Sequence, residues 1–274
     1  MQVDYLEMHG AGNRILVVDQ RKNGLAPPAA DTLRRLGNQQ TGPGFDQLMW
    51  VTRAAEPDNA ASYRVFNADG SEVEQCGNGV RCVARMLVDS VASETSLVLE
   101  GPVGLVEARV LGDGDVSVNM GCPEYEPGRI PFVADSRKPQ YTLAVAGTRL
   151  SVQAVSMGNP HCVLQVDDTN TADVSHLGPL IERHERFPER TNVGFMKVID
   201  RGNIELRVYE RGVGETRACG TGACAAVVCG QQLELLDQEV CVRLPGGQLV
   251  VSWRRGAVWL TGNAELISEG SIDL

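Results

Sequence analysis

The amino-acid sequence predicts an α+β fold of two similar lobes, each a curled, mostly antiparallel β-sheet or barrel around one central helix. Three observations lead to this prediction. The two halves of the chain repeat the same motifs, each half carries one Cys-Gly-x-Gly motif before a helical segment, and most of the remaining chain reads as short β-patterned runs. Such a duplication predicts lobes related by a pseudo-two-fold axis.

The clearest repeat surrounds the two Cys-Gly-x-Gly motifs. Residues 63–79 align without a gap with residues 206–222, at an offset of 143, and six positions are identical. Two looser repeats occur in the same order, Gly12-Asn13 with Gly158-Asn159 at an offset of 146 and Gly44-Phe45 with Gly194-Phe195 at an offset of 150. A period of about half the chain excludes a short-repeat solenoid.

The repeats predict how the chain is divided. We expect an N-terminal lobe over residues 1–120 that carries Cys76, a C-terminal lobe over 121–262 that carries Cys219, and a final strand over 263–274. In both lobes an alternating apolar strand ends in a glycine-bearing turn, and the turn leads into Cys-Gly-x-Gly and a helix.

The two central helices differ in their polar surface. The first is predicted over 78–89 with a polar stripe of Arg81, Arg85 and Asp89. The second, Ala223–Cys229, has no polar face and is predicted to be buried. Strands are predicted over 14–19, 63–66, 97–100, 103–110, 115–120, 142–146, 149–155, 162–166, 204–209, 240–244, 248–253 and 257–260, with peripheral helices near 28–39 and 176–185 and a solvated charged face over 184–190.

Charge and composition exclude several classes of protein. The 274 residues include 35 acidic and 25 basic side chains, a formal net charge of −10, which argues against a nucleic-acid or anionic-membrane partner. No apolar run approaches the length of a membrane span. We therefore expect a soluble, cytoplasmic protein, in which disulfides rarely persist.

Eight cysteines in such a chain require an explanation. There is no Cys-x-x-Cys pair, and the four histidines provide no zinc-ligand spacing, so no metal site is predicted. Six cysteines are predicted to be buried core residues: Cys82, Cys122, Cys162, Cys224, Cys229 and Cys241. The remaining two, Cys76 and Cys219, occupy the duplicated motif.

A cysteine just before a helix lies at the positive end of the helix dipole, beside unpaired backbone N–H groups, and both stabilise a thiolate. The glycines let the backbone approach a ligand closely, and the N–H groups can bind a carboxylate. If the lobes pack about a pseudo-two-fold axis, Cys76 and Cys219 face each other. Such a pair suits the inversion of a carbon centre, because one thiolate removes a proton and the opposite thiol returns one.

The motifs as a set resemble the diaminopimelate epimerase family along essentially the whole chain. They are Met8-His9-Gly10-Ala11-Gly12-Asn13, Gly44-Phe45-Asp46-Gln47, Phe66-Asn67-Ala68-Asp69-Gly70, Cys76-Gly77-Asn78-Gly79, Gly158-Asn159-Pro160-His161, Thr191-Asn192-Val193-Gly194-Phe195, Tyr209-Glu210-Arg211-Gly212 and Ala218-Cys219-Gly220-Thr221-Gly222. The resemblance implies cofactor-independent interconversion of LL- and meso-2,6-diaminopimelate, a small-molecule substrate, for lysine and peptidoglycan synthesis in the cytoplasm. It also implies that the last strand returns to the first lobe, and it raises the expectation of a homodimer.

The same resemblance implies roles for individual residues. Cys76 and Cys219 become the acid/base pair, and His161 and Glu210 become auxiliary groups beside the thiols. Substrate contacts are implied for Asn13, Gln47, Asn67, Asn159, Asn192, Glu210 and Arg211, with a carboxylate-binding backbone around Gly77-Asn78 and Gly220-Thr221. Two positions depart from the family pattern, Arg14 and Ser268.

Other interpretations of these residues stay open. The asparagines are also typical turn residues, Glu210-Arg211 would also serve as a solvated ion pair, and His161 as a buried core histidine. Among functions, the alternatives are a racemase of another amino acid, such as proline, on the same scaffold, a thiol redox pair, and a non-catalytic amino-acid-binding protein. A pyridoxal phosphate enzyme is disfavoured, because none of the three lysines lies beside a phosphate-binding loop.

Overall fold

The chain folds into two compact units in the computed structural model, which describes residues 1–74, 76–88, 95–254 and 256–274. Unit 1 comprises Met1–Asn119 and Thr261–Leu274, and unit 2 comprises Met120–Leu260. Each unit combines β-strands with two α-helices, so the predicted α+β class is confirmed.

The strands of unit 1 are β1 (Gln2–Gly10), β2 (Asn13–Asp19), β3 (Gln47–Thr52), β4 (Ala61–Asn67), β5 (Glu72–Val73), β6 (Thr95–Gly101), β7 (Gly104–Val110), β8 (Val116–Asn119) and β18 (Glu265–Asp273), and its helices are α1 (Ala30–Gly37) and α2 (Gly77–Leu87). The strands of unit 2 are β9 (Tyr141–Val145), β10 (Thr148–Ser156), β11 (Pro160–Gln165), β12 (Asn192–Asp200), β13 (Asn203–Glu210), β14 (Gly214–Thr216), β15 (Glu239–Leu244) and β16 (Gly247–Ser252), and its helices are α3 (Val174–Glu182), α4 (Gly220–Gln232) and a 3-10 turn (Pro127–Arg129). The strand β17 (Trp259–Gly262) spans the point where the chain passes from unit 2 to unit 1.

Both units use the same succession of strand pairings. In unit 1, β1 pairs antiparallel with β2, β2 parallel with β3, β3 antiparallel with β4, β4 parallel with β6, and β6 antiparallel with β7. In unit 2 the same order runs through β10, β11, β12, β13, β15 and β16. The outer neighbour of β1 is β18, and that of β10 is β9. The repeat in sequence is therefore also a repeat in topology.

The strands β2 and β3 are buried on both faces, which explains why they read as continuous apolar runs. The side chains of Leu16 and Trp50 belong to a core cluster with Leu33 and Leu36 of α1. On the opposite face, Met49 lies against Gly79 of α2. Because successive strand residues alternate between faces, each helix covers one side of the sheet.

One helix lies at the centre of each sheet. The helix α2 contacts β1, β2, β3, β7 and β8, which are strands from both ends of the pairing order, so the sheet of unit 1 curls around it. The helix α4 contacts β10, β11, β12, β13 and β16. Every residue of α4 from Gly220 to Gly230 is buried, as the absence of a polar face predicted.

The structure corrects three expectations about polar residues and cysteines. Arg81 is completely buried rather than part of a polar stripe, and Asp89, the predicted end of that stripe, lies outside the described residues. Cys122 is exposed and Cys241 is half-buried, whereas the other four predicted core cysteines are buried. The segment 184–190 is not wholly solvated, because Phe187 enters the core of unit 2.

The turn after β4 is held against the start of α1, and a glycine makes this possible. Gly70 has φ of +82°, and a Cβ there would lie 2.5 Å from the carbonyl oxygen of Ala30. Gly24 has a similar φ of +66°, but a Cβ at that position would have no atom within 4 Å. We expect Gly70→Ala to lower the free energy of unfolding by about 2–5 kcal/mol, from backbone strain and overpacking together.

Gly24→Ala is the matched control for this prediction, because it adds only the backbone strain, about 1–2 kcal/mol. Chemical denaturation of both variants measures the difference. Equal losses for the two variants would contradict the tight contact between the turn and Ala30.

Candidate functional site

Both cysteines of the duplicated motif are N-cap residues. Cys76 precedes α2 with φ of −144° and ψ of 102°, and Cys219 precedes α4 with φ of −125° and ψ of 108°. The exposed fractions are 8% for Cys76 and 5% for Cys219. The extended backbone places each sulfur beside the first turn of its helix, where unpaired N–H groups and the helix dipole favour negative charge. In α2 the Gly79 N–H donates to Cys76 Sγ at 3.1 Å.

The side-chain amides of Gln47 and Asn67 form a hydrogen-bonded chain with the Cys76 thiol in unit 1. The thiol donates to Gln47 Oε1, and Gln47 Nε2 donates to Asn67 Oδ1 at 3.2 Å. The second bond follows from the register, because Gln47 and Asn67 are directly opposite each other on β3 and β4. Asn67 Nδ2 in turn donates to Ser71 Oγ at 3.1 Å. Three predicted site residues thus form one hydrogen-bonded chain.

Asn78 belongs to a second set of contacts in unit 1, which includes the turn before Asn13. Asn13 begins β2 after a tight turn in which Ala11 and Gly12 both have positive φ, 51° and 91°. Asn78 is 2% exposed in the first turn of α2, next to Gly77, and its Oδ1 accepts from Arg81 Nη2 at 2.9 Å. The side-chain oxygen of Asn78 is therefore held within the protein.

Arg81 connects the helix α2 with the turn before β2, and the sequence did not predict it as a site residue. Its Nε donates to the backbone oxygen of Asn263 at 3.3 Å, and Asn263 Oδ1 accepts from the Ala11 N–H at 3.2 Å. The guanidinium thus connects α2 with the turn that precedes Asn13. Its position five residues after Cys76 was the only signal in the sequence, since its partner Asn263 lies 182 residues away.

The surroundings of Cys219 in unit 2 include a carboxyl group. Glu210 ends β13, and its Oε1 accepts a hydrogen bond from the Thr216 hydroxyl. Cys219 Sγ lies 3.6 Å from Thr221 Oγ1, one residue after Gly220 at the start of α4. Burial raises the pKa of the Cys219 thiol well above its usual range, and the negative charge of Glu210 raises it further. Burial also raises the pKa of Glu210, against hydrogen bonds with Thr216 and Cys219 that lower it.

The four remaining polar residues of unit 2 lie near the starts of β11 and β12 or in the turn after β13. His161 and Asn192 are paired in register, and His161 Nε2 lies 2.9 Å from Asn159 Oδ1. Asn192 is 3% exposed, and its side chain donates to the Pro160 carbonyl at 3.1 Å and accepts from the Arg211 N–H at 2.9 Å. The exposed side chain of Arg211 donates through Nη1 to the Glu189 carbonyl at 3.2 Å.

His161 is a buried neutral imidazole. It is 1% exposed, and burial, with the nearby Arg211 guanidinium as the second cause, lowers its pKa to about 3. In the unfolded chain the pKa of histidine is about 6.5, so the unfolded state binds the extra proton between these values. The contribution of His161 to the free energy of unfolding is present above pH 6.5 and is lost as the pH falls towards 3.

We therefore expect the stability of the wild type to fall between pH 6.5 and pH 5 by about 2 kcal/mol more than that of His161→Gln, which carries no titrating ring. Chemical denaturation of both proteins at the two pH values measures this difference. Parallel losses of stability would show that His161 titrates normally.

The two units therefore surround their cysteines differently. At the end of β4 unit 1 has Asn67, and at the end of β13 unit 2 has Glu210, at the same offset of 143 as the cysteines. At the start of the preceding strand they have Gln47 and Asn192. In unit 1, Gln47 and Asn67 thus form a hydrogen-bonded chain with the Cys76 thiol, and in unit 2 the carboxyl group of Glu210 lies beside the Cys219 thiol.

The two departures from the family pattern contact the same side chain. Arg14 Nε donates to Glu7 Oε1 at 2.6 Å, and Ser268 Oγ donates to Glu7 Oε2 at 2.8 Å. The hydrogen bond from Arg14 is the largest cause that lowers the pKa of Glu7. Both residues therefore stabilise one partly buried carboxylate between β1, β2 and β18.

Comparison with known proteins gives consistent matches along the chain. A sequence profile described as diaminopimelate epimerase matches residues 5–126 and 153–267. A diaminopimelate epimerase from Thioalkalivibrio sulfidiphilus is 48% identical over 281 residues, covering 100% of both chains. One from Acinetobacter baumannii is 47% identical over 277 residues, covering 100% of this chain and 98% of that protein.

Among solved structures, a hydroxyproline epimerase from Agrobacterium vitis with bound trans-4-hydroxy-L-proline has a similar fold. The TM-score is 0.73 at 17% sequence identity, and the match covers 99% of this chain and 92% of that one. At this identity the likeness concerns the fold alone. Within the described part of the chain, none of the helices is long and apolar enough to cross a membrane.

Proposed function

The chain belongs to the diaminopimelate epimerase family, and on that premise we propose that it interconverts LL- and meso-2,6-diaminopimelate without a cofactor. The reaction would serve lysine and peptidoglycan precursor synthesis in the cytoplasm. The observation that carries the proposal is the pair of N-cap cysteines, Cys76 and Cys219, at equivalent positions of two duplicated units. A binding protein has no need of the second cysteine.

In the proposed reaction the two sulfurs act on opposite faces of one α-carbon. A thiolate takes the α-proton, so that one C–H bond breaks and one S–H bond forms. The electron pair left on the substrate delocalises into the carboxylate as an enediolate-like anion. The other thiol then gives its proton to the opposite face, so that the centre is inverted and the two sulfurs exchange protonation states.

The unequal surroundings of the two thiols suit this division of labour. Glu210 and burial keep Cys219 protonated, so we assign it the role of acid in the enzyme at rest. The Gly79 N–H donates to Cys76 Sγ at the start of α2, which favours a thiolate, so we assign Cys76 the role of base. After each turnover the protonation states are reversed, and the reverse reaction starts from that state.

We propose that the backbone N–H groups at the starts of α2 and α4 bind the substrate carboxylate at the reacting carbon. The N-termini of the helices would stabilise the charge that develops on proton removal. The proposed ligands of the rest of the substrate are Asn13, Gln47, Asn67, Asn159, Asn192, Glu210 and Arg211. A second zwitterionic end on the substrate accounts for this large polar set, including one acidic and one basic side chain.

Incubation of reduced protein with LL-diaminopimelate in deuterated water tests the reaction. We expect the meso isomer to form with deuterium at the inverted α-carbon, detected by NMR and mass spectrometry. No α-exchange by reduced, folded protein would rule out the proposed function. A parallel incubation with L-proline and trans-4-hydroxy-L-proline tests the rival racemase reaction, for which we expect no exchange.

A thiol redox pair is the remaining alternative. It predicts that oxidation and reduction change the state of Cys76 and Cys219 but that no substrate is epimerised. We expect instead that the reduced protein epimerises diaminopimelate. A disulfide between Cys76 and Cys219 should abolish the activity, because neither sulfur of a disulfide can carry a proton.

We also propose a homodimer. The strand β18 exposes Leu266 and Ile267, with exposed fractions of 54% and 56%. Adjacent exposed apolar side chains on a strand are typical of a surface that a second copy covers. Analytical ultracentrifugation should give twice the 29.5 kDa mass of the chain, and Leu266→Lys should shift the protein to the monomer.

A further inference from the structure

One buried acidic side chain of unit 2 has no role in the reaction described above. Glu182 is the last residue of α3, and it is only 1% exposed. Its carboxylate lies 3.5 Å from Arg183 Nε and 3.9 Å from Arg190 Nη1, and both arginines are largely exposed. A carboxylate buried to this extent needs hydrogen bonds to offset the loss of hydration.

The principal hydrogen bond of Glu182 is to the turn that follows β13. The Gly212 N–H donates to Glu182 Oε1 at 2.8 Å. The preceding N–H, that of Arg211, donates to Asn192 Oδ1 at 2.9 Å. Two buried side chains therefore hold two successive N–H groups of the turn, which comes directly after Glu210.

Glu182 also holds the segment that leads into β12. Its backbone carbonyl accepts from the Thr191 N–H at 3.2 Å, just before Asn192. The Arg211 side chain donates to the carbonyl of Glu189 in the same segment. Glu182 thus connects the end of α3, the strand start that carries Asn192, and the turn that carries Arg211.

We propose that Glu182 is a positioning residue, which holds the turn after Glu210 so that Arg211 is oriented for an anionic group of the substrate. This role rests on the proposed function, because Arg211 is there a substrate ligand. In this role Glu182 needs no contact with substrate. Glu210 is held separately by Thr216, so the loss of Glu182 should affect binding more than the chemical step.

The test compares Glu182→Ala with Glu182→Gln. The alanine variant removes the acceptor of the Gly212 N–H, and we expect KM for LL-diaminopimelate to rise roughly tenfold with kcat lowered less than threefold. The glutamine variant keeps an acceptor oxygen of the same reach, so its KM should rise less than threefold. Equal losses in the two variants, or an unchanged KM in Glu182→Ala, would overturn the role.

Glu185→Ala is the matched control, since Glu185 lies in the same segment, has an exposed side chain and loses the same charge. We expect its KM and kcat to equal those of the wild type. A change as large as that of Glu182→Ala would attribute the effect to the net charge of the segment and overturn the assignment.

Amide hydrogen exchange provides a measurement that needs no substrate. The Gly212 amide should exchange at least roughly tenfold faster in Glu182→Ala and at a rate close to that of the wild type in Glu182→Gln. An unchanged rate in Glu182→Ala would overturn the role of Glu182. A wild-type protein without epimerase activity but with this exchange pattern would instead count against the proposed function alone.

Discussion

Cys76→Ala and Cys219→Ala should each lower kcat/KM for diaminopimelate by roughly 10²- to 10⁴-fold, the usual contribution of a positioned acid or base. In the proposed mechanism either change leaves one face of the α-carbon without a positioned proton carrier, so inversion should be slow. Both cysteines are almost fully buried N-cap residues, so far-UV circular dichroism should confirm that each alanine variant is folded before its activity is measured. Epimerisation followed by chiral chromatography measures the loss.

Cys122→Ala is the control for loss of a thiol as such. Cys122 is exposed and is not one of the proposed site residues. Its variant should have wild-type kcat and KM. Full turnover by either Cys76→Ala or Cys219→Ala would exclude two-base catalysis by this pair.

Glu210→Gln should make the Cys219 thiol ionise at lower pH than in the wild type. The carboxylate of Glu210 raises the pKa of Cys219, and an amide of the same shape removes that charge while burial remains. Alkylation of Cys219 by iodoacetamide can be followed by mass spectrometry of its peptide. As the pH is raised, the increase in alkylation rate should begin at a lower pH in Glu210→Gln than in the wild type. Cys76→Ala as background removes the second thiol of the proposed pair.

The same substitution should lower kcat/KM by roughly 10- to 100-fold, the scale expected when a charge-assisted hydrogen bond is lost. Glu239→Gln is the matched control, since Glu239 is an exposed acid at the start of β15 in the same unit. It should leave both the alkylation profile and the activity unchanged. If the pH dependence of Cys219 alkylation is the same in Glu210→Gln as in the wild type, burial alone raises the pKa of Cys219.

The local pattern of the sequence predicted most of the elements that carry the site. The apolar segment of α4 was predicted to be buried, and the structure confirms this. The strand β1, in which Gln2 and Asp4 alternate with Val3 and Tyr5, was not predicted although alternation is typical of a strand. Its outer partner β18 lies at the other end of the chain.

The environments of the site residues could not be predicted in the same way. Arg81 was expected on a polar stripe, but it is buried because Asn78 and the distant Asn263 accept its hydrogen bonds. Two of the expected core cysteines, Cys122 and Cys241, are not buried, because burial depends on which elements cover a strand or loop. Residue type alone carries only a preference for the interior.

The sequence by itself determined the duplication and the N-cap positions of Cys76 and Cys219. An N-cap depends on a few neighbouring residues, and a repeated motif carries the same local conformation twice. Only the tertiary structure decided that Cys76 has amide neighbours whereas Cys219 has Glu210, and that Glu182 holds the Gly212 N–H. The physical reason is that hydrogen-bond partners and desolvation arise from segments far apart in the chain, which meet only when the chain has packed.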